Sequence, residues 1–93
     1  MVLASQTWKL SLPECSSLKE KRSVIRSIRD RLSSRFNVSV AETGFQDAHS
    51  LAELSIAVVA SDGRLAESIL DKADRFVESH AGALIIMVRR EVH

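Results

Sequence analysis

Tyrosine is absent from this chain of 93 residues, and proline, cysteine and tryptophan occur once each. A lone thiol, Cys15, closes no internal disulfide, which fits a reducing compartment. It also leaves the segment Pro13-Glu14-Cys15-Ser16-Ser17 without the paired cysteines that a metal-carrying first loop uses. No apolar run approaches the roughly 18 residues needed to cross a bilayer. Met1 to Leu10 alternates apolar and polar residues, with no basic leader and no continuous apolar stretch, so it does not read as a signal peptide. A cytoplasmic setting without a membrane partner is therefore expected. There is no repeat, low-complexity tract or linker, and three glycines leave little room for one. Residues 1–93 are expected to form a single domain, since the 45% hydrophobic and 27% charged content is that of a globular chain.

The formal charge of +1 conceals an uneven distribution. Between Leu18 and Arg35 stand seven bases (Lys19, Lys21, Arg22, Arg26, Arg29, Arg31, Arg35) against two acids, Glu20 and Asp30. That segment carries +5 and leaves −4 on the remainder. Such polarity within one domain points to an anionic partner.

Hydrophobic periodicity sets out the elements. Val2, Ala4, Trp8, Leu10 and Leu12 occupy alternate positions, which predicts a half-buried strand ended by Pro13. Ser17 followed by Glu20 forms a capping box, so a helix is expected from Leu18, with Leu18, Ile25, Ile28, Leu32 and Phe36 on one side and Asn37 as its stop. Val38 to Gln46, bending near Gly44, reads as a second strand. A short turn from Gln46 to Ser50 leads to a third, in which Leu54, Ile56, Val58 and Ala60 point one way. Ser61 and Asp62 can cap a second helix carried by Leu65, Ile69, Ala73, Phe76 and Val77, with Gly82 as its exit. Leu84 to Val88 is a continuous apolar run of strand length. The order β–α–β–β–α–β, with right-handed crossovers, predicts an α+β ferredoxin-like sandwich: a four-stranded antiparallel sheet with two helices on one face. Ala57, Val59, Ile85 and Met87 are expected on the other, open face, where a second copy of the chain could pair.

At about 100° per residue, Lys19, Arg22, Arg26 and Arg29 fall in one stripe beside the apolar side of the first helix. They span roughly 15 Å of axis, a spacing at which several phosphates of a nucleic-acid backbone could be met. Lys21 and Arg35 lie nearer the apolar side and are expected to snorkel over core residues. Base stacking on the sheet is disfavoured, because Thr7, Lys9, Ser55 and Ala57 hold the outer positions where an RNA-recognition motif places aromatic rings. Acylphosphatases share this architecture but need an arginine in the first loop, and that loop has none. Asp47 and His49 could form an acid–base pair, although turn residues of these types are usually solvated or bonded to their own backbone. No catalytic constellation and no cofactor motif is recognised.

Three segments resemble the YlxP-like family of small bacterial proteins: Ser17-Leu18-Lys19-Glu20-Lys21-Arg22, Arg35-Phe36-Asn37-Val38-Ser39-Val40-Ala41-Glu42, and Ala52-Glu53-Leu54 through Ser61-Asp62, with Gln46-Asp47 between the last two. The resemblance implies a ferredoxin-like fold and a cytoplasmic setting. Genes of that family tend to lie beside those for a translation initiation factor and a ribosome-maturation factor, although no activity is assigned to it. Two departures stand out. Many members carry Pro-Gly before the helix, where this chain has Pro13-Glu14, and many carry tryptophan two residues after Gln-Asp, where this chain has His49.

The expected function is that of a non-enzymatic RNA- or ribosome-associated factor. Lys19, Arg22, Arg26 and Arg29 would dock on phosphates of rRNA or the small ribosomal subunit, with Lys9, Arg89 and Arg90 extending the surface. Two alternatives stand beside it: a dimerising or protein-interaction module acting through the open sheet face, and a small hydrolase using Asp47 and His49.

Overall fold

A computed structural model describes residues 1–93 and shows six elements: β1 (Val2–Ser11), α1 (Leu18–Arg35), β2 (Ser39–Gly44), β3 (Leu51–Ala60), α2 (Gly63–Glu78) and β4 (Leu84–Val92). The strands form one antiparallel sheet in the order β2-β3-β1-β4, with both helices against one face. This is the expected ferredoxin-like sandwich. No helix is long and apolar enough to cross a membrane.

The core follows from the two periodicities. Ala4, Trp8 and Leu10 of β1 and Ala52, Leu54, Ile56 and Val58 of β3 turn to the helices. They meet Ile25, Ile28 and Leu32 of α1 and Ala66, Leu70, Ala73 and Val77 of α2. Ser17 caps α1 by accepting from the Glu20 amide at 3.2 Å, and the Glu20 carboxylate accepts from the Ser16 amide at 2.8 Å. Asp62 alone caps α2, accepting from the Leu65 amide at 2.8 Å.

Several boundaries differ from expectation for identifiable reasons. β2 ends at Gly44 because Phe45 enters the left-handed region at φ 60°, which turns the chain before Gln46. Gly82 does not leave α2 through a positive φ; its amide instead donates to His80 Nδ1 at 3.2 Å. β4 continues past its apolar run to Val92 because Arg90, on the inner face beside Gln6, is fully partnered there. Its guanidinium donates to Gln6 Oε1 at 2.5 Å, Glu67 Oε2 at 2.7 Å and Asp71 Oδ1 at 2.8 Å. Ile85 also differs: it pairs with Leu10 and packs against the core rather than on the open face.

Two polar clusters lie inside this packing. Asp74 on α2 accepts from the indole of Trp8 at 2.8 Å and from the amide of Gln6 at 3.0 Å, tying α2 to β1. Trp8 and Gln6 are wholly buried, so these bonds satisfy groups that water cannot reach. The second cluster surrounds Lys21, which does not snorkel and is 1% exposed. Its ammonium donates to the carbonyls of Phe45 at 2.6 Å, Leu51 at 3.1 Å and Gln46 at 3.5 Å, and it meets Glu42 Oε2 at 3.2 Å. That Glu42 oxygen is buried with no aligned hydrogen-bond donor, so the ion pair alone compensates it.

Two stability measurements test these clusters. Asp74→Ala leaves a buried indole and amide without an acceptor and should cost about 3 kcal/mol in urea unfolding, followed by Trp8 emission. Lys21→Met should cost a similar amount, roughly 3 kcal/mol, because a carboxylate and three carbonyls lose their donor. Replacing Glu42 by Gln as well should cost less than the two single changes added together.

Candidate nucleic-acid interface

The candidate interface is one flank of α1. Capping by Ser17 fixes where the helix begins, and burial of Lys21, Ile25, Ile28 and Leu32 fixes how it is rotated against the sheet. With that face inward, Lys19, Arg22, Arg26 and Arg29 all emerge exposed on one flank. None has a carboxylate within salt-bridge distance; the chain's ion pairs involve Lys21, Arg89, Arg90 and His93 only. Lys19, Arg22 and Arg26 border one shallow depression with Ser23. Arg22, Arg26 and Arg29 border a second with Ile25 and Glu42. Glu42 is the one acid lining these depressions, and its charge is committed to Lys21.

The three residues expected to extend this surface do not. Arg90 is turned inward and neutralised by Glu67 and Asp71. Burial works against its charge, but the hydrogen bonds it donates to the Asp71 and Glu67 carboxylates outweigh that and raise its pKa above the ordinary arginine value. Arg89 lies on the open sheet face opposite Thr7, 3.8 Å from Glu91. Lys9 lies on that same face, its ammonium 4.9 Å from the centre of the Phe45 ring. The sheet thus separates both from the row on α1. Phe45 brings one half-exposed ring to a face where none was expected, contributed by the β2–β3 connection rather than by a strand.

Val59 and Met87 are exposed on the open face, as expected. They pair with Leu3 and Lys9 of β1, which places them about 20 Å apart along the strand at 3.3 Å per residue. Between them lie Ser5, Thr7, Ser55 and Arg89. A chain of hydroxyls crosses this middle, Thr7 to Ser55 at 2.9 Å and Ser55 to Thr43 at 2.8 Å, before Thr43 donates to Glu53 at 2.6 Å.

Asp47 and His49 are not brought together. His49 Nδ1 donates to the Cys15 carbonyl at 2.9 Å and so fastens the β2–β3 connection to the loop before α1. No group of three or more His, Cys, Asp or Glu side chains is placed to hold a metal ion. Burial pushes the Cys15 thiol above 9.0, and the carboxylates of Glu20 and Glu14 push the same way against the weaker opposing effect of Lys21. A raised thiol pKa means less thiolate at a given pH. Alkylation of Cys15 by iodoacetamide at pH 8 should therefore be slower than for free cysteine, and should reach the free rate in urea.

Two features escaped the sequence reading: the buried Lys21–Glu42 pair, and a cleft between the helices that gathers Arg35, Lys72 and Arg75. The first had a signal, since Lys21 stands four and seven residues before Ile25 and Ile28, on the apolar side of the helix. The second had none, because it joins residues nearly 40 positions apart.

Comparison with known proteins agrees with the fold and the resemblance. One relative, the uncharacterized protein YlxP of Bacillus subtilis (strain 168), is 38% identical over 66 residues, covering 71% of this chain and 72% of that protein. A C-terminal segment of the alpha subunit of aIF2 from Pyrococcus abyssi superposes with a TM-score of 0.54 at 17% identity. The match covers 98% of this chain but only 50% of that structure. A de novo designed protein with a ferredoxin fold, known from a solution NMR structure, gives 0.51 at 16% identity over 100% of this chain and 85% of its own. At such identities the two structures share the architecture and nothing more is carried over from them. The model of a family described as a protein of unknown function, DUF503, matches residues 3–90, and the chain belongs to that family.

Proposed function

We propose that this protein is a non-enzymatic RNA- or ribosome-associated factor that docks the basic flank of α1 on phosphates of rRNA. One observation carries the reading: four exposed cations share a helix flank and no carboxylate of the chain neutralises them. Side chains placed this way keep their full charge for a partner. A row spanning roughly 15 Å suits the repeating charge of a nucleic-acid backbone better than a single small anion. The apolar face of the same helix is consumed by the core, which disfavours the other common partner of a basic amphipathic helix, an anionic membrane.

Binding of this kind releases counterions and weakens steeply with salt. Co-sedimentation with small ribosomal subunits should therefore fall as salt is raised. Replacing Lys19, Arg22, Arg26 and Arg29 by Glu should abolish it, while Trp8 emission and the unfolding midpoint stay close to those of the parent protein. Undiminished co-sedimentation of the fourfold variant would remove the reading.

A further inference from the structure

α2 segregates its charges. Glu67, Asp71 and Asp74 stand on the flank facing β1 and β4, where Arg90, Gln6 and Trp8 take up their oxygens. Lys72 and Arg75 stand on the flank facing α1. There they line a cleft with Ser79 and Phe76 of α2 and with Arg35 and Phe36 at the end of α1. No carboxylate lines this cleft, and none of the three cations takes part in an ion pair. The Arg35 guanidinium is held 5.0 Å from the centre of the Phe76 ring, which fixes one wall. Helix dipoles account for part of this arrangement, since Arg35 and Arg75 lie in the last turns of their helices. They do not account for Lys72, which precedes the last turn, nor for the convergence of three like charges on one concavity. Such convergence costs free energy in the folded chain, and an anion would relieve it.

We propose that this cleft is a second phosphate-binding site, and that α1 lies between two phosphate rows of a double-stranded or folded RNA. The proposal rests on the RNA reading above and adds the class of RNA. At about 100° per residue, Arg35 projects roughly 120–180° around the helix from Lys19, Arg22, Arg26 and Arg29. A helix is about 10–12 Å across with its side chains, so one row of phosphates cannot touch both flanks. Two backbones flanking a groove can. The stripe carries no aromatic ring for stacking unpaired bases, and in the cleft the Phe76 ring is already covered by Arg35 and Phe36 packs against the core. Recognition by phosphate position suits duplex RNA, which proteins read by shape more than by sequence.

The test uses the full chain, a labelled RNA hairpin with a stem of about 16 base pairs, and oligouridylate of the same length. Fluorescence anisotropy is recorded over a salt series for the parent protein, for Lys72→Glu with Arg75→Glu, and for the stripe variant. The hairpin should bind more tightly than oligouridylate. The cleft variant should lose about tenfold in hairpin affinity, and its salt slope should become shallower by roughly 1.4–1.8, near 0.7–0.9 for each of the two lost contacts. A cleft variant with parental affinity and slope overturns the second site, while continued loss in the stripe variant leaves the RNA reading standing. Equal binding of both RNAs overturns the two-row geometry. Failure of the parent protein to bind either RNA or to co-sediment with subunits overturns both the site and the function beneath it.

Discussion

The ammonium of Lys21 sets the geometry on which the rest depends. A buried charge costs several kcal/mol unless it is fully compensated, and here three carbonyls and Glu42 surround it. Because those partners sit on β2, β3 and the connection between them, the bond fixes how α1 is rolled against the sheet. Rolling is what decides the surface. With Lys21 inward, the residues one, five and eight positions later, Arg22, Arg26 and Arg29, have no course except outward. The same ammonium also shares the Phe45 carbonyl with the Ala48 amide, and so holds a bulky residue in a left-handed conformation it would otherwise avoid. Within one helix, a cation that is spent in the interior orients the cations that remain available.

A parallel division runs through α2. Glu67, Asp71 and Asp74 face the sheet and are consumed by Arg90, Gln6 and Trp8, while Lys72 and Arg75 face α1. Three of the chain's twelve acids are therefore turned away from the helix–helix side. Net charge hides this, because those three carboxylates do not line the cleft where Arg35, Lys72 and Arg75 meet. The surface potential follows from which carboxylates the fold employs internally, rather than from how many there are.

Most of the architecture was legible in the sequence, since period two in β1 and β3 and the 3.6-residue period in both helices mark which side chains are buried. The capping residues Ser17 and Asp62 gave the helix starts for the same local reason. What could not be read was the destination of long polar side chains. Lys9, Arg89 and Arg90 seemed equivalent extensions of one surface, yet strand pairing sends two of them to the open face and one into a cluster of acids. Lys21 was placed correctly on the apolar side, but nothing local states that four oxygens wait for it across the sheet. Ile85 was assigned to the wrong face because β4 carries a bulge opposite Lys9 and Leu10, which shifts the alternation. His49 offered a chemical reading that geometry withdrew, since its ring bonds the Cys15 carbonyl rather than Asp47.

The position of β1 has a consequence for how the chain is made. β1 precedes β3 and β4 along the chain, yet it lies in the interior of the sheet, between the two. Its inner face is completed only when Asp74 arrives, 66 residues after Trp8. β3 can pair with β1 as soon as Ala60 is present, but Trp8 waits for Asp74, and the other edge of β1 waits for β4. The sheet and the core are thus completed by contacts between distant parts of the sequence, β4 and α2 returning to β1.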